Sequence, residues 1–130
     1  MQILAVVLAA VAGFILGGFW YSPFLFGHVW ARESGTPETH NPDPKAQIRF
    51  SATLLALLAL AALVLEQVLH WRGANGAAEG LTVGAVGGVL AAAVVGMDTL
   101  FERKRSVLFL INAGYYLIAS GVMGLIVGVL

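Results

Sequence analysis

LTVGAVGGVLAAAVVGMDTLFERKRSVLFLINAGYYLIASGVMGLIVGVL, residues 81–130, decides the fold. Two long apolar runs, Leu81–Phe101 and Val107–Leu130, are separated by five residues' worth of charge and turn, Glu102 to Ser106. Each run is close to the roughly 20 residues an α-helix needs to cross about 30 Å of hydrocarbon. Neither alternates as a half-buried strand does, and in lipid a helix satisfies its backbone groups within its own segment. So short a turn makes the two helices antiparallel neighbours.

Runs of the same kind lie at Ile3–Phe19 and Phe50–Leu69. The whole chain of 130 residues is 59% hydrophobic and only 11% charged, where a soluble domain carries about a quarter charged residues. There are too few charges to solvate a globular surface. The expected fold is all-α membrane: one domain, 1–130, forming a bundle of four transmembrane helices over about 3–21, 43–70, 78–101 and 106–130. The net charge is zero, so no basic field argues for nucleic acid. The absence of cysteine excludes disulfides, thiolate metal sites and thiol nucleophiles. Ala10-Val11-Ala12 resembles a signal-peptide cleavage site, but no basic residue precedes the apolar run, so the segment is expected to stay as the first span.

Basic residues set the orientation. Arg32, Lys45 and Arg49 flank the first loop, Arg103, Lys104 and Arg105 fill the third, and Arg72 alone lies in the second. Positive loops stay in the cytoplasm. Loops one and three are therefore expected inside, with loop two and both termini outside, in a cell inner (plasma) membrane. Loop one carries turn chemistry at Gly35-Thr36-Pro37-Glu38, and Asn41 with Pro42 can cap and start the second membrane helix. At the end of helix one, Ser22 can cap a new helix with Pro23 at its first position. Phe24, Leu25, Phe26, Val29 and Trp30 then give a short apolar segment, predicting a helix over about 23–32 that lies in the interface.

Small residues recur four apart, on one helix face. Gly13 and Gly17 continue such a stripe in helix one, Gly80, Gly84 and Gly88 lie in helix three, and Gly124 and Gly128 in helix four. Such faces let membrane helices approach closely, within one chain or between two copies.

Polar residues inside a membrane need partners or water. The topology gathers Trp20, Tyr21, Ser22, Ser51, Asp98, Asn112, Tyr115 and Tyr116 at the cytoplasmic end. Two uses follow: hydrogen bonds that fix helix packing, or a polar pocket for a proton, ion or small ligand, with Asp98 as its best single candidate. Asn112, Tyr116 and Ser120 share one face of helix four. Glu66, four before His70, is expected to reach water at the outer interface. No catalytic set emerges: the histidines are scattered, Ser120 has no nearby base, and Gly84-Ala85-Val86-Gly87-Gly88 lacks the lysine-hydroxyl pair of a phosphate loop. No metal site and no cofactor is expected.

Two motifs carry a family resemblance. The first is Trp20-Tyr21-Ser22-Pro23 followed by Leu25-Phe26-Gly27 and Trp30. The second is Asn112-Ala113-Gly114-Tyr115 followed by Met123-Gly124. Together they resemble the membrane proteins grouped as domain of unknown function 1761. The resemblance implies a compact four-helix membrane protein and no particular activity. The expected function is a non-enzymatic membrane protein that self-associates or binds a partner through its glycine faces. The alternative is a small transporter or channel with its polar pocket around Asp98 and Asn112. The bilayer is the expected partner, and a second copy and a small ligand or ion stay open.

Overall fold

The computed structural model describes residues 3–34 and 43–130. Its elements are α1 (Ile3–Trp20), α2 (Gly27–Ser34), α3 (Pro44–Arg72), α4 (Ala77–Phe101) and α5 (Ser106–Val129). The described residues are helical or in turns. Four of the helices, all but α2, are long and apolar enough to cross a membrane.

Local chemistry explains the ends. Asp43 caps α3, accepting from the Lys45 N–H at 3.3 Å, with Pro44 in the first turn, where a missing N–H costs little. Asn41 and Pro42, which offer the same pairing, lie outside the described residues, as does the 35–38 turn. At the other end Gly73 adopts φ 63°, and the N–H groups of Gly73 and Ala74 reach the carbonyls of His70 and Leu69. That left-handed residue closes the helix as glycine usually does.

The start of α2 differs from expectation. Ser22 is not a helix cap and Pro23 is not a first helical residue: residues 21–26 form a tight turn, and α2 begins at Gly27. The Ser22 carbonyl accepts from both Leu25 and Gly27 N–H groups, and its hydroxyl turns back to donate to the Phe19 carbonyl at 2.7 Å. Gly27 makes this possible, because a Cβ there would strike the backbone of Tyr21 and Ser22.

The long helices pack in the order α1, α3, α4, α5 and back to α1, with α5 also touching α3 across the middle. Helix α5 runs beside α4 along its length and packs on α1 and α3, which also pack on each other. The α4–α5 seam is glycine against backbone. A Cβ on Gly80 would run into the Gly124 carbonyl, one on Gly124 into Gly80, one on Gly84 into Ser120, and one on Gly88 to 2.9 Å from the Leu117 Cα. A Cβ on Gly128 would strike the Gly76 carbonyl, and the Gly76 N–H donates to the Gly128 carbonyl at 2.7 Å. On α1, Gly13 faces Leu58 and Met123, and Gly17 faces the Tyr115 ring.

The core is built from Ala5, Val6, Ala9, Ala10, Leu58, Ala62, Leu65, Leu69, Val83, Met123 and Val127. It fills the half of the molecule remote from α2. Large side chains such as Ile15, Leu60, Val86, Leu90 and Leu110 face outward. Large apolar side chains left facing outward, with alanine and glycine at the closest helix contacts, is an arrangement that helices in lipid favour.

Candidate functional site

The polar residues collect at one end, where α1 stops, α4 turns into α5, and α2 crosses. An α-helix rises about 1.5 Å per residue, so a straight continuation would carry α2 well away from the bundle. Instead Trp30 packs edge-on against Tyr21, centroids 5.8 Å apart, and Glu33 reaches Arg105 at the start of α5. The helix lies across the bundle end.

Three side chains fasten α1 to α5. The Trp20 indole N–H donates to the Ile111 carbonyl at 2.9 Å. Its ring lies against Gly114, where an added Cβ would come within 2.9 Å of it. The Tyr21 hydroxyl donates to Asn112 Oδ1 at 2.7 Å. The Tyr115 hydroxyl, buried, donates back to the Gly13 carbonyl at 2.9 Å. Tyr21 and Tyr115 meet edge to face at 5.6 Å, and Tyr116 continues the row at 5.4 Å from Tyr115. Burial, and then the neighbouring phenols of Tyr116 and Tyr115, raise the Tyr21 hydroxyl above its ordinary pKa. It therefore stays protonated and able to donate.

Beside this aromatic corner is a recess of about 150 Å³ lined by Val95, Asp98, Thr99, Glu102, Lys104, Asn112 and Tyr116. Asp98 is solvent-exposed, Glu102 is paired with Lys104 at 3.0 Å, and Thr99 donates to the Val95 carbonyl. Asp98, Asn112 and Tyr116 are thus together, and Tyr21 reaches them through Asn112. Trp20 and Tyr115 stand behind in the aromatic corner. Ser22 and Ser51 do not line the recess. Ser120 is also elsewhere: its hydroxyl donates to the Gly84 carbonyl at 2.7 Å, inside the α4–α5 seam. The face Asn112–Tyr116–Ser120 is therefore not one continuous polar lining. The recess ends at Val95 and Tyr116, about one turn deeper than Thr99 and Asn112.

A second, larger recess of about 480 Å³ lies at the opposite end, where Glu66, His70, Asn75 and Gly76 face the end of α5. Arg72 and Glu79 pair across the neighbouring turn at 3.0 Å.

Sequence reasoning missed Glu33. Its carboxylate is only 11% exposed and forms an ion pair with Arg105 Nε at 3.1 Å, with Arg32 Nε at 3.9 Å. In sequence it is one more charged residue at the edge of a polar loop, 72 positions from its partner. Nothing local marks it.

Fold and site together define a small helical protein with four membrane-capable spans and a polar, aromatic-bolted end. The chain belongs to the family described as protein of unknown function (DUF1761), which matches residues 4–128. No curated protein and no solved structure matches it.

Proposed function

We propose that the chain is a non-enzymatic integral membrane protein of the plasma membrane whose working face is its α2 end. It crosses the bilayer four times, with both termini and the α3–α4 turn outside and the α4–α5 turn in the cytoplasm. The observation that carries this is the division of labour between its surfaces. The glycines of α4 and α5 face each other within one chain. A partner therefore meets the protein at the end that holds Asp98, Asn112 and Tyr116 in an open recess. On this reading the glycine faces serve the fold, and self-association through them is the alternative.

The transporter or channel is a second reading, favoured by the exposed carboxylate of Asp98 in that recess. Against it stands the apolar core that follows from Ala5 to Val127, which offers an ion no polar partner.

Two measurements test the proposal. Single cysteines replacing Asn75 and Arg103 are labelled in intact cells with an impermeant maleimide. Asn75→Cys labels and Arg103→Cys does not; the opposite pattern inverts the topology. In reconstituted vesicles, proton or sodium flux at the background of empty vesicles supports the binding reading. Flux abolished by Asp98→Asn replaces it with the transporter.

A further inference from the structure

The charged groups of the α2 end are distributed unevenly. Six of the seven lysines and arginines, namely Arg32, Lys45, Arg49, Arg103, Lys104 and Arg105, belong to this end. Lys104 is held by Glu102, and its neighbour Arg103 is exposed in a left-handed turn, φ 56°. Arg32 and Arg105 come from opposite ends of the sequence and converge on the same carboxylate, Glu33. Both approach it through Nε, and their side chains are 71% and 75% exposed. Two guanidinium groups thus share one negative charge. Among the described residues Glu33 is their only ion-pair partner.

An apolar tip lies at the other end of α2, before its first residue. Phe24, in the turn before α2, is 90% exposed, and Leu25 beside it is 47% exposed. Trp30 is only partly covered, against Tyr21. Rings of this kind sit at headgroup depth, with basic side chains just outside them.

We infer that Arg32 and Arg105, positioned by Glu33, form a docking site for the phosphate of an anionic phospholipid, on a helix whose other end is anchored among the lipid chains by Phe24 and Leu25. Guanidinium groups bind phosphate oxygens in bidentate fashion. An anionic leaflet attracts each basic residue near its surface. Glu33 fixes the spacing of the two arginines and offsets one charge, so the site holds a single phosphate firmly and does not act as a diffuse basic field. The inference rests on the membrane reading above but not on its orientation. It is tested in micelles, which have no sides, so a failed topology assay and a failed lipid titration point to different errors.

The experiment titrates the full chain in a neutral maltoside micelle with short-chain phosphatidylglycerol, phosphatidylcholine or inorganic phosphate. Melting temperature and native mass spectrometry are the readouts. Phosphatidylglycerol raises the melting temperature and is retained as a bound lipid; the other two have neither effect. Each arginine removed, Arg32→Gln or Arg105→Gln, weakens phosphatidylglycerol binding about fivefold. Arg32→Gln leaves the Glu33–Arg105 bridge intact, so it reports on the site even if Arg105→Gln is unstable. Arg72→Gln, at the opposite end, leaves binding unchanged. Equal stabilisation by inorganic phosphate, equal weakening by Arg72→Gln, or unchanged binding in Arg32→Gln overturns the proposal.

Discussion

Replacing Gly84 by alanine tests the α4–α5 seam with a single methyl group. The new Cβ would overlap the Ser120 carbonyl and lie 3.0 Å from the Gly121 Cα. Both obstacles are backbone, so neither can rotate away and the helices must separate. Overpacking of this kind costs about 1–3 kcal/mol. Separation also weakens the Ser120 hydroxyl bond to the Gly84 carbonyl, worth about 0.6 kcal/mol on average in membrane proteins. It further loosens the close Cα–H contacts to carbonyls, worth about 0.5–1 kcal/mol each. Against this, alanine favours a helix over glycine by up to about 1 kcal/mol. The balance is a destabilisation of about 2 kcal/mol, roughly a thirtyfold fall in the folded-to-unfolded ratio.

The assay is reversible unfolding in mixed micelles with increasing dodecyl sulfate, followed by tryptophan fluorescence. Gly87→Ala is the internal control. Its nearest neighbours are the Ser120 Oγ at 3.3 Å and a Leu65 methyl at 3.5 Å, side-chain atoms that can yield. It should stay within about 0.5 kcal/mol of the parent. Gly84→Ala as stable as Gly87→Ala would refute the seam. A Gly84→Ala protein that stays folded but changes its oligomeric state would refute the assignment of that glycine face to the chain's own fold.

Three further outcomes follow. Tyr21→Phe removes the hydroxyl bound to Asn112 and costs about 0.6–1.7 kcal/mol. Adding Asn112→Ala to it should cost less than Asn112→Ala alone, and a double-mutant cycle in the same unfolding assay reads the coupling. Tyr115→Phe removes the buried donor to the Gly13 carbonyl and costs about 1 kcal/mol. Its effect is expected on α1, seen as faster amide exchange near Gly17. Asp98→Asn, at an exposed position lining the recess, leaves the unfolding midpoint within about 0.5 kcal/mol of the parent. A larger loss would make Asp98 part of the framework.

The long helices were legible because hydrocarbon thickness imposes a length and hydropathy imposes a composition, and both are written locally. The α4–α5 pairing was half legible. The stripe of Gly80, Gly84 and Gly88 announces a close approach, but a stripe does not name its partner. The short Glu102–Ser106 connection makes α5 the nearest candidate, and the structure places Gly124 and Gly128 there. The start of α2 was misread because Ser22 and Pro23 have the chemistry of a helix start, whereas the backbone answers to Gly27. Only a glycine admits the Tyr21 and Ser22 backbone so close, and that constraint appears only when the turn is built. In the candidate site, depth along the helices brought Asp98, Asn112 and Tyr116 together. Direction around the helix separated Ser120 and Ser22 from them. Glu33 was invisible because its role depends on α2 folding back across the bundle.

The Tyr115 bond to Gly13 joins residues 102 positions apart, and the Trp20 bond to Ile111 joins residues 91 apart. Synthesis proceeds from the first residue to the last, so α1 emerges long before α5 exists. The earliest helix is therefore the one that waits, holding its indole and its Gly13 carbonyl without their final partners while the remainder is made. By contrast, α4 and α5 emerge in succession and can zip at once through their glycines. Assembly of this chain is then timed by its end. A chain that stops before Ile111 leaves α1 its packing on α3 but none of the bonds that close the aromatic corner.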